Sequence, residues 1–188
     1  MRVISGRFGG RRLNTTEGPG YRPATGRVRE AVFSMLEARL GGFSGLAVLD
    51  VFAGSGSLGI EALSRGAETA WFVESSRKAA ALITQNLKAL GAEPRSYKVL
   101  CEDAAKALAH RPSRPFDLVF ADPPYGQDLL APTLGRLVSV GWLADEALVL
   151  CEVEADVTAE SLAEAAPALT LETDRLYGQT RILLWRRN

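Results

Sequence analysis

The sequence predicts an α/β domain: a seven-stranded, mostly parallel sheet with helices on both faces and an antiparallel strand at the C-terminal end. Three observations predict it. Short continuous apolar runs, the kind buried on both faces, alternate with helical patterns along most of the chain. A glycine-rich loop links the first long apolar run to a helix. The last two apolar runs are joined only by a turn through Gly178, too short for a helical crossover, so they pair antiparallel. With 188 residues there is room for one such domain and a sizeable core.

The elements follow in order. Residues 1–24 are rich in Gly and Arg, with β-like pieces at 2–4 and 11–13, and read as a basic arm or hairpin. Residues 25–188 form the domain proper. Thr25 is placed to cap a helix through residue 40, where Val28, Val32, Leu36 and Leu40 repeat every four residues, and Gly41-Gly42 ends it. Residues 46–52 are a buried strand, 57–65 a short helix stopped by Gly66, and 69–73 a second strand. Residues 76–90 are helical, with Leu82, Ile83, Asn86, Leu87 and Leu90 on one face and Gly91 as the stop. A strand at 97–101, a helical turn at 104–109, a strand at 118–121 and a helix at 128–138 come next. A fifth strand at 147–153 and a helical piece at 159–165 precede the closing pair, 169–173 and 181–185.

At 47% hydrophobic and 23% charged residues, the composition is that of an ordinary soluble globular chain. No apolar run approaches the roughly 20 residues of a membrane helix, and the N-terminus lacks a signal-peptide core. Cys101 and Cys151 lie far apart in apolar runs, as reduced core residues of a cytoplasmic protein. With no cysteine cluster and one histidine, His110 in a polar loop, no metal site is expected. Net charge is zero but uneven. Residues 1–30 hold seven arginines and two acids, and the remaining 158 hold fifteen bases and twenty acids. A basic arm on an acidic body points to an anionic polymer, and guanidinium forks fit phosphates. Arg7, Arg11, Arg12, Arg22, Arg27 and Arg29 are the candidate contacts, though Arg27 and Arg29 also stand where they could pair with Glu30 and other helix-surface acids.

Two motifs carry chemistry. Asp50-Val-Phe52-Ala53-Gly54-Ser55-Gly56-Ser-Leu-Gly59 follows the first strand, and Glu74-Ser75 follows the second. The three glycines match the dinucleotide fingerprint, so a nicotinamide oxidoreductase has to be weighed. Asp50, four residues before the first glycine, instead suits a cation, and S-adenosylmethionine carries an ammonium and a sulfonium. On that reading the glycines let the backbone approach the cofactor, and Glu74 takes both ribose hydroxyls. Asp103, beside Ala104 after the third strand, accepts from the adenine amine or else caps the following helix.

The second motif is Asp122-Pro123-Pro124-Tyr125, after the fourth strand. Proline has a fixed φ and no N–H, and it drives its predecessor out of the helical region. The four residues therefore form a stiff lip with a carboxylate, unpaired carbonyls and a flat ring. Such a lip accepts hydrogen bonds from a planar amine while the ring stacks on the base carrying it. The alternative is a proline stop at a strand end.

Together these motifs resemble the class I S-adenosylmethionine-dependent methyltransferases. LDVFAGSGSLGIEALSRGA, with RPATGRVREAVFSML upstream, is similar to the bacterial 16S ribosomal RNA guanine-N2 methyltransferases that modify guanine 966. The likeness runs from ISGRFGGRRL to the closing hairpin; Ala24 and Gly26 depart from the family's usual threonine and aspartate. The resemblance implies a Rossmann-like fold, S-adenosylmethionine as cofactor, and 16S rRNA within a small-subunit assembly as partner. It implies Asp122 and the Pro123 carbonyl as acceptors of the amine N–H bonds, and Tyr125 as the stacking ring. A monomer is expected, since no long apolar stripe demands a dimer. A DNA adenine-N6 or cytosine-N4 methyltransferase is the nearest enzymatic alternative, since those bases also offer a planar amine. A non-catalytic cofactor- or RNA-binding module is the alternative of another class.

Overall fold

The computed structural model describes residues 1–15 and 26–188. Its elements are α1 (Gly26–Leu40), β1 (Ala47–Val51), α2 (Ser57–Ser64), β2 (Thr69–Val73), α3 (Arg77–Leu90), β3 (Tyr97–Leu100) and α4 (Ala104–Ala107). There follow β4 (Phe116–Ala121), α5 (Leu130–Ser139), β5 (Leu143–Glu154), α6 (Glu160–Ala163), β6 (Leu169–Tyr177) and β7 (Thr180–Arg187). The sheet order is β3-β2-β1-β4-β5-β7-β6. The first five strands are parallel, and β7 is wedged antiparallel between β5 and β6.

Strand alternation divides the core in two. Val48, Phe72, Leu118, Phe120, Leu148 and Leu150 face one way and pack with α1, α2, α3 and the N-terminal segment. Leu49, Val51, Val119, Val149 and Cys151 face the other way and pack with α4, α5 and α6. The central strands are apolar throughout because both faces are covered. α3 shows how local chemistry sets the boundaries: Ser76 accepts the Ala79 N–H at 3.3 Å, and Gly91 closes the helix at φ 75°.

Three expectations need correction. β5 starts at Leu143, four residues early, because Asp145 and Glu146 lie in a bulge where the β4 register shifts and Glu146 takes φ 61°. β6 runs on to Tyr177 as a polar edge strand. Cys151 is buried, but Cys101 is exposed just beyond β3.

The first fifteen residues are docked on the body. The Val3 N–H donates to the Arg11 carbonyl at 3.0 Å and the Leu13 N–H to the Met1 carbonyl at 3.0 Å, a hairpin-like pairing. Val3, Phe8 and Leu13 enter the same core as Phe33 and Leu63. The buried Glu61 carboxylate of α2 takes the Ile4 and Ser5 N–H groups at 2.7 and 3.0 Å, and Ser64 takes the Phe8 N–H at 2.9 Å. Thr25 lies outside the described residues. Among the described residues no helix is long and apolar enough to cross a membrane, and no cluster of His, Cys, Asp or Glu is set to hold a metal ion.

Candidate active site

The carboxyl ends of the parallel strands form a cleft of about 340 Å³. One wall is Phe52, Gly54, Val73, Glu74, Ser75, Glu102, Asp103 and Ala104; the other is Asp122, Pro123, Pro124, Tyr125, Gln127 and Leu129. The two predicted motifs thus face each other where an open α/β sheet binds its ligands, in a volume that suits a small molecule.

The glycine loop is built to expose backbone. Phe52 leaves β1 at φ 63°, a strained position for an aromatic residue, and Gly54 and Gly56 follow at φ 54° and 74°. The Ala53 N–H is held by the Val73 carbonyl at 3.0 Å and the Gly56 N–H by the Ala53 carbonyl at 2.7 Å. Glu74 accepts the Gly54 N–H at 2.8 Å and the Ser76 N–H at 2.7 Å, one on each oxygen. A carboxylate has about four acceptor sites, so this clamp still leaves capacity for a pair of hydroxyls. Asp103 caps α4 by accepting the Ala105 N–H at 2.8 Å, and it also lines the cleft.

Asp50 differs from expectation. Its side chain is buried, lies outside the cleft lining, and accepts the Gly59 N–H at 2.9 Å. It therefore holds the start of α2 against β1, and a cation in the cleft would feel its charge from beneath. Burial pushes its carboxyl up; the Gly59 N–H opposes this, and Asp122 and Glu74 reinforce it. Ala53, Ser55 and Gly56 also lie behind the cleft surface.

The lip has the expected form. Asp122 is half-buried at the cleft floor, Pro123 is buried, and Tyr125 is 42% exposed with its phenol oxygen 3.5 Å from the Thr180 hydroxyl. Glu154 anchors the turn that follows by accepting the Gly126 N–H at 2.8 Å. Burial pushes the Asp122 carboxyl up from the ordinary range. Burial, then the charge of Asp122, does the same to Glu152 on β5. Burial also raises the Tyr125 phenol; the Thr180 hydrogen bond opposes the rise, while Glu152, Asp122 and Glu154 add to it. Motif reading missed Glu152, Glu154, Gln127 and Leu129, because they belong to no motif and only the β4–β5 pairing or the turn brings them near. A cleft crested by so many carboxylates favours a cation and disfavours a pyrophosphate, which supports S-adenosylmethionine over a nicotinamide dinucleotide.

The arginines are scattered. Arg29 is buried, and its guanidinium donates to the Arg2 carbonyl at 2.6 Å, so it serves the fold and is no surface phosphate contact. Arg11 donates to the Ala89 carbonyl, and to that of Leu90 at 3.0 Å, capping the C-terminus of α3. Arg7 stacks 4.6 Å over Phe8 and lines a separate hollow with Glu68, Thr69, Glu93 and Arg95, by the amino ends of β2 and β3. Both Arg7 and Arg11 therefore sit at the opposite end of the sheet from the cleft. Arg12 and Arg27 are exposed. α1 runs toward the amino end of β1, which starts seven residues after it, so Arg27 at the other end of α1 lies toward the cleft side. Arg22 and Ala24 lie outside the described residues.

Comparisons with known proteins agree with this fold. The family model described as conserved hypothetical protein 95 matches residues 1–186. The ribosomal RNA small subunit methyltransferase D of Escherichia coli K12 is 37% identical over 187 residues, covering 100% of this chain and 90% of that one. Its namesake in Haemophilus influenzae is 35% identical, covering 83% and 80%. The solved structure of yhhF from Escherichia coli superposes with a TM-score of 0.85 at 36% identity, covering 100% and 98%. Magnesium protoporphyrin IX methyltransferase of Synechocystis, solved with bound S-adenosylmethionine, shares the fold at 18% identity, with a TM-score of 0.67 over 86% and 79% of the two chains. The chain belongs to the conserved hypothetical protein 95 family, is a methyltransferase by its full-length relatives, and has the fold of the class I methyltransferases.

Proposed function

We propose that this enzyme methylates the exocyclic N2 amine of a guanine in 16S ribosomal RNA, within a small-subunit assembly. The observation that carries the reading is the Asp122-Pro-Pro-Tyr125 lip facing the glycine loop across one cleft. The names of the full-length relatives support the ribosomal target. S-adenosylmethionine, when bound, supplies an electrophilic methyl group on a sulfonium. Glu74 holds the ribose hydroxyls, Phe52, Gly54, Ser75 and Ala104 shape the wall, and Asp103 accepts from the adenine amine. Asp50, from below, favours the cofactor's positive charge.

An amine on an aromatic base is a poor nucleophile because its lone pair is delocalised into the ring. Asp122 and the Pro123 carbonyl accept its N–H bonds and turn the lone pair toward the methyl group. Pro124 stiffens the lip, and Tyr125 stacks on a base turned out of its helix or taken from a loop. The nitrogen is cationic once methylated, and so acidic, and it loses a proton to Asp122 or to water. The rate gain is positioning and electrostatics. Arg12, Arg22 and Arg27 hold phosphates, with residues 1–24 as part of the RNA-binding surface, and the protein works as a cytoplasmic monomer. Purified protein, labelled cofactor and small-subunit particles test this directly. Nucleoside mass analysis should show N2-methylguanosine; label on another base, or none, overturns the reading.

A further inference from the structure

β5 carries a carboxylate that belongs to neither motif. Glu152 is 5% exposed and stands just outside the lining of the cleft, behind Asp122. Cys151 pairs with Ala121 across β4 and β5, so one step further Glu152 stands beside Asp122. Strand alternation puts the two on one face of the sheet, in line with Leu118 and Phe120 on β4 and with Leu148 and Leu150 on β5. The proximity is felt electrostatically: Asp122 opposes the ionisation of Glu152, and both bear on the Tyr125 phenol at the cleft rim. Among the described residues no N–H or O–H donates to either carboxyl, and no Lys or Arg pairs with either.

A buried and a half-buried acceptor side by side are costly unless something brings donors to them. The four standard bases differ in what they bring. In adenine and cytosine the exocyclic amine is flanked by ring nitrogens that are acceptors, whose lone pairs would oppose a second carboxylate. In guanine the amine is flanked by a ring N–H, so the base presents two donors side by side. We propose that Glu152 takes the N1–H of the target guanine while Asp122 takes its N2 amine, so that the pair of carboxyls selects the base. This rests on the guanine-N2 reading above. Glu152 is a specificity-determining residue, and the DPPY lip alone does not discriminate.

The test compares a substrate RNA bearing guanosine at the methylated position with one bearing 2-aminopurine riboside there. The analogue keeps the 2-amine but presents an acceptor at N1. The wild type should favour guanosine by about a hundredfold or more in kcat/KM, because a site built around a donor rejects an analogue that lacks it. Glu152→Gln, whose amide donates to N1, should lose most of that preference with cofactor affinity unchanged. Equal rates for the wild type on both RNAs, or an unchanged preference in the variant, overturn the assignment and leave the proposed function standing. Failure of the wild type to make N2-methylguanosine overturns both. Should Glu152→Gln not fold, Glu152→Asp decides: its shorter carboxyl should slow guanosine more than 2-aminopurine, and equal slowing overturns the assignment.

Discussion

Asp117 and Asp122 bracket the same strand, five residues apart, and meet opposite fates. At the amino end Asp117 accepts the Ala47 N–H at 2.7 Å and has Arg114 3.7 Å away. Around it Glu68 pairs with Arg114 and Glu93 with Arg95, and a cluster of Trp71, Phe116 and Trp142 closes that end. At the carboxyl end Asp122 and Glu152 have no donor among the described residues, and the backbone before them is strained at Phe52. The same residue type is satisfied by the protein at one end and left for a ligand at the other. Stability is invested below, reactivity above.

The sharpest way to break this contrast is to exchange the two fates. Asp122→Ala should lower methyl transfer by about a thousandfold or more, the scale of losing a preorganised electrostatic contact, with cofactor affinity in calorimetry far less affected. Asp117→Ala should leave turnover nearly unchanged and cost about 1–3 kcal/mol in denaturant unfolding, because it strands the Ala47 N–H. Comparable activity losses in both variants would end the comparison.

Gly59→Ala probes the seam between cofactor loop and core. A Cβ there would lie 2.4 Å from the Phe72 ring and 3.2 Å from an Asp50 carboxylate oxygen. A loss of about 1–3 kcal/mol in unfolding, with weakened cofactor binding, is expected. Full stability would mean that α2 does not pack against Phe72 this closely.

The third prediction concerns pH. Burial raises the carboxyls of Asp50, Asp122 and Glu152. Above the ordinary carboxylate value of about 4, the folded cofactor-free protein thus binds more protons than the unfolded chain, and its stability falls as pH rises through the raised range. Melting curves should show that decline, and Asp122→Asn should flatten it. Turnover should rise over the same range as Asp122 ionises. A melting temperature that climbs from pH 5 to 8 contradicts the burial argument.

The smallest effect separates the arginines. Arg27→Glu should weaken RNA binding and lower its salt slope by about one, while Arg7→Glu at the far end should leave the slope unchanged. Equal slopes for both variants would remove Arg27 from the interface.

Much of this was legible in the residues. Parallel strands buried on both faces are continuous apolar runs, so β1, β2 and β4 stood out, and the glycine loop and the proline lip carry their own backbone constraints. Ten of the residues read as functional line the cleft. What stayed hidden depends on pairing and packing. Glu152 is one acid inside an apolar strand, and only the register with Ala121 sets it beside Asp122. A count of arginines gives charge but not direction, so Arg11 and Arg29 resembled phosphate ligands until their guanidiniums were found on backbone carbonyls.

The clamp of Glu61 and Ser64 on the N-terminal segment has a consequence for biosynthesis. Residues 3–8 leave the ribosome more than fifty residues before the partners that fix them. Until α2 has formed, the Ile4, Ser5 and Phe8 N–H groups lack their folded-state acceptors and Phe8 lacks its pocket. It is among the earliest pieces made and must wait for α2 before it can settle, and its docking closes α2 from one end while Gly56 opens it from the other. A nascent chain stalled before residue 61 therefore exposes the segment to proteases, and protection should appear in one step once α2 clears the exit tunnel.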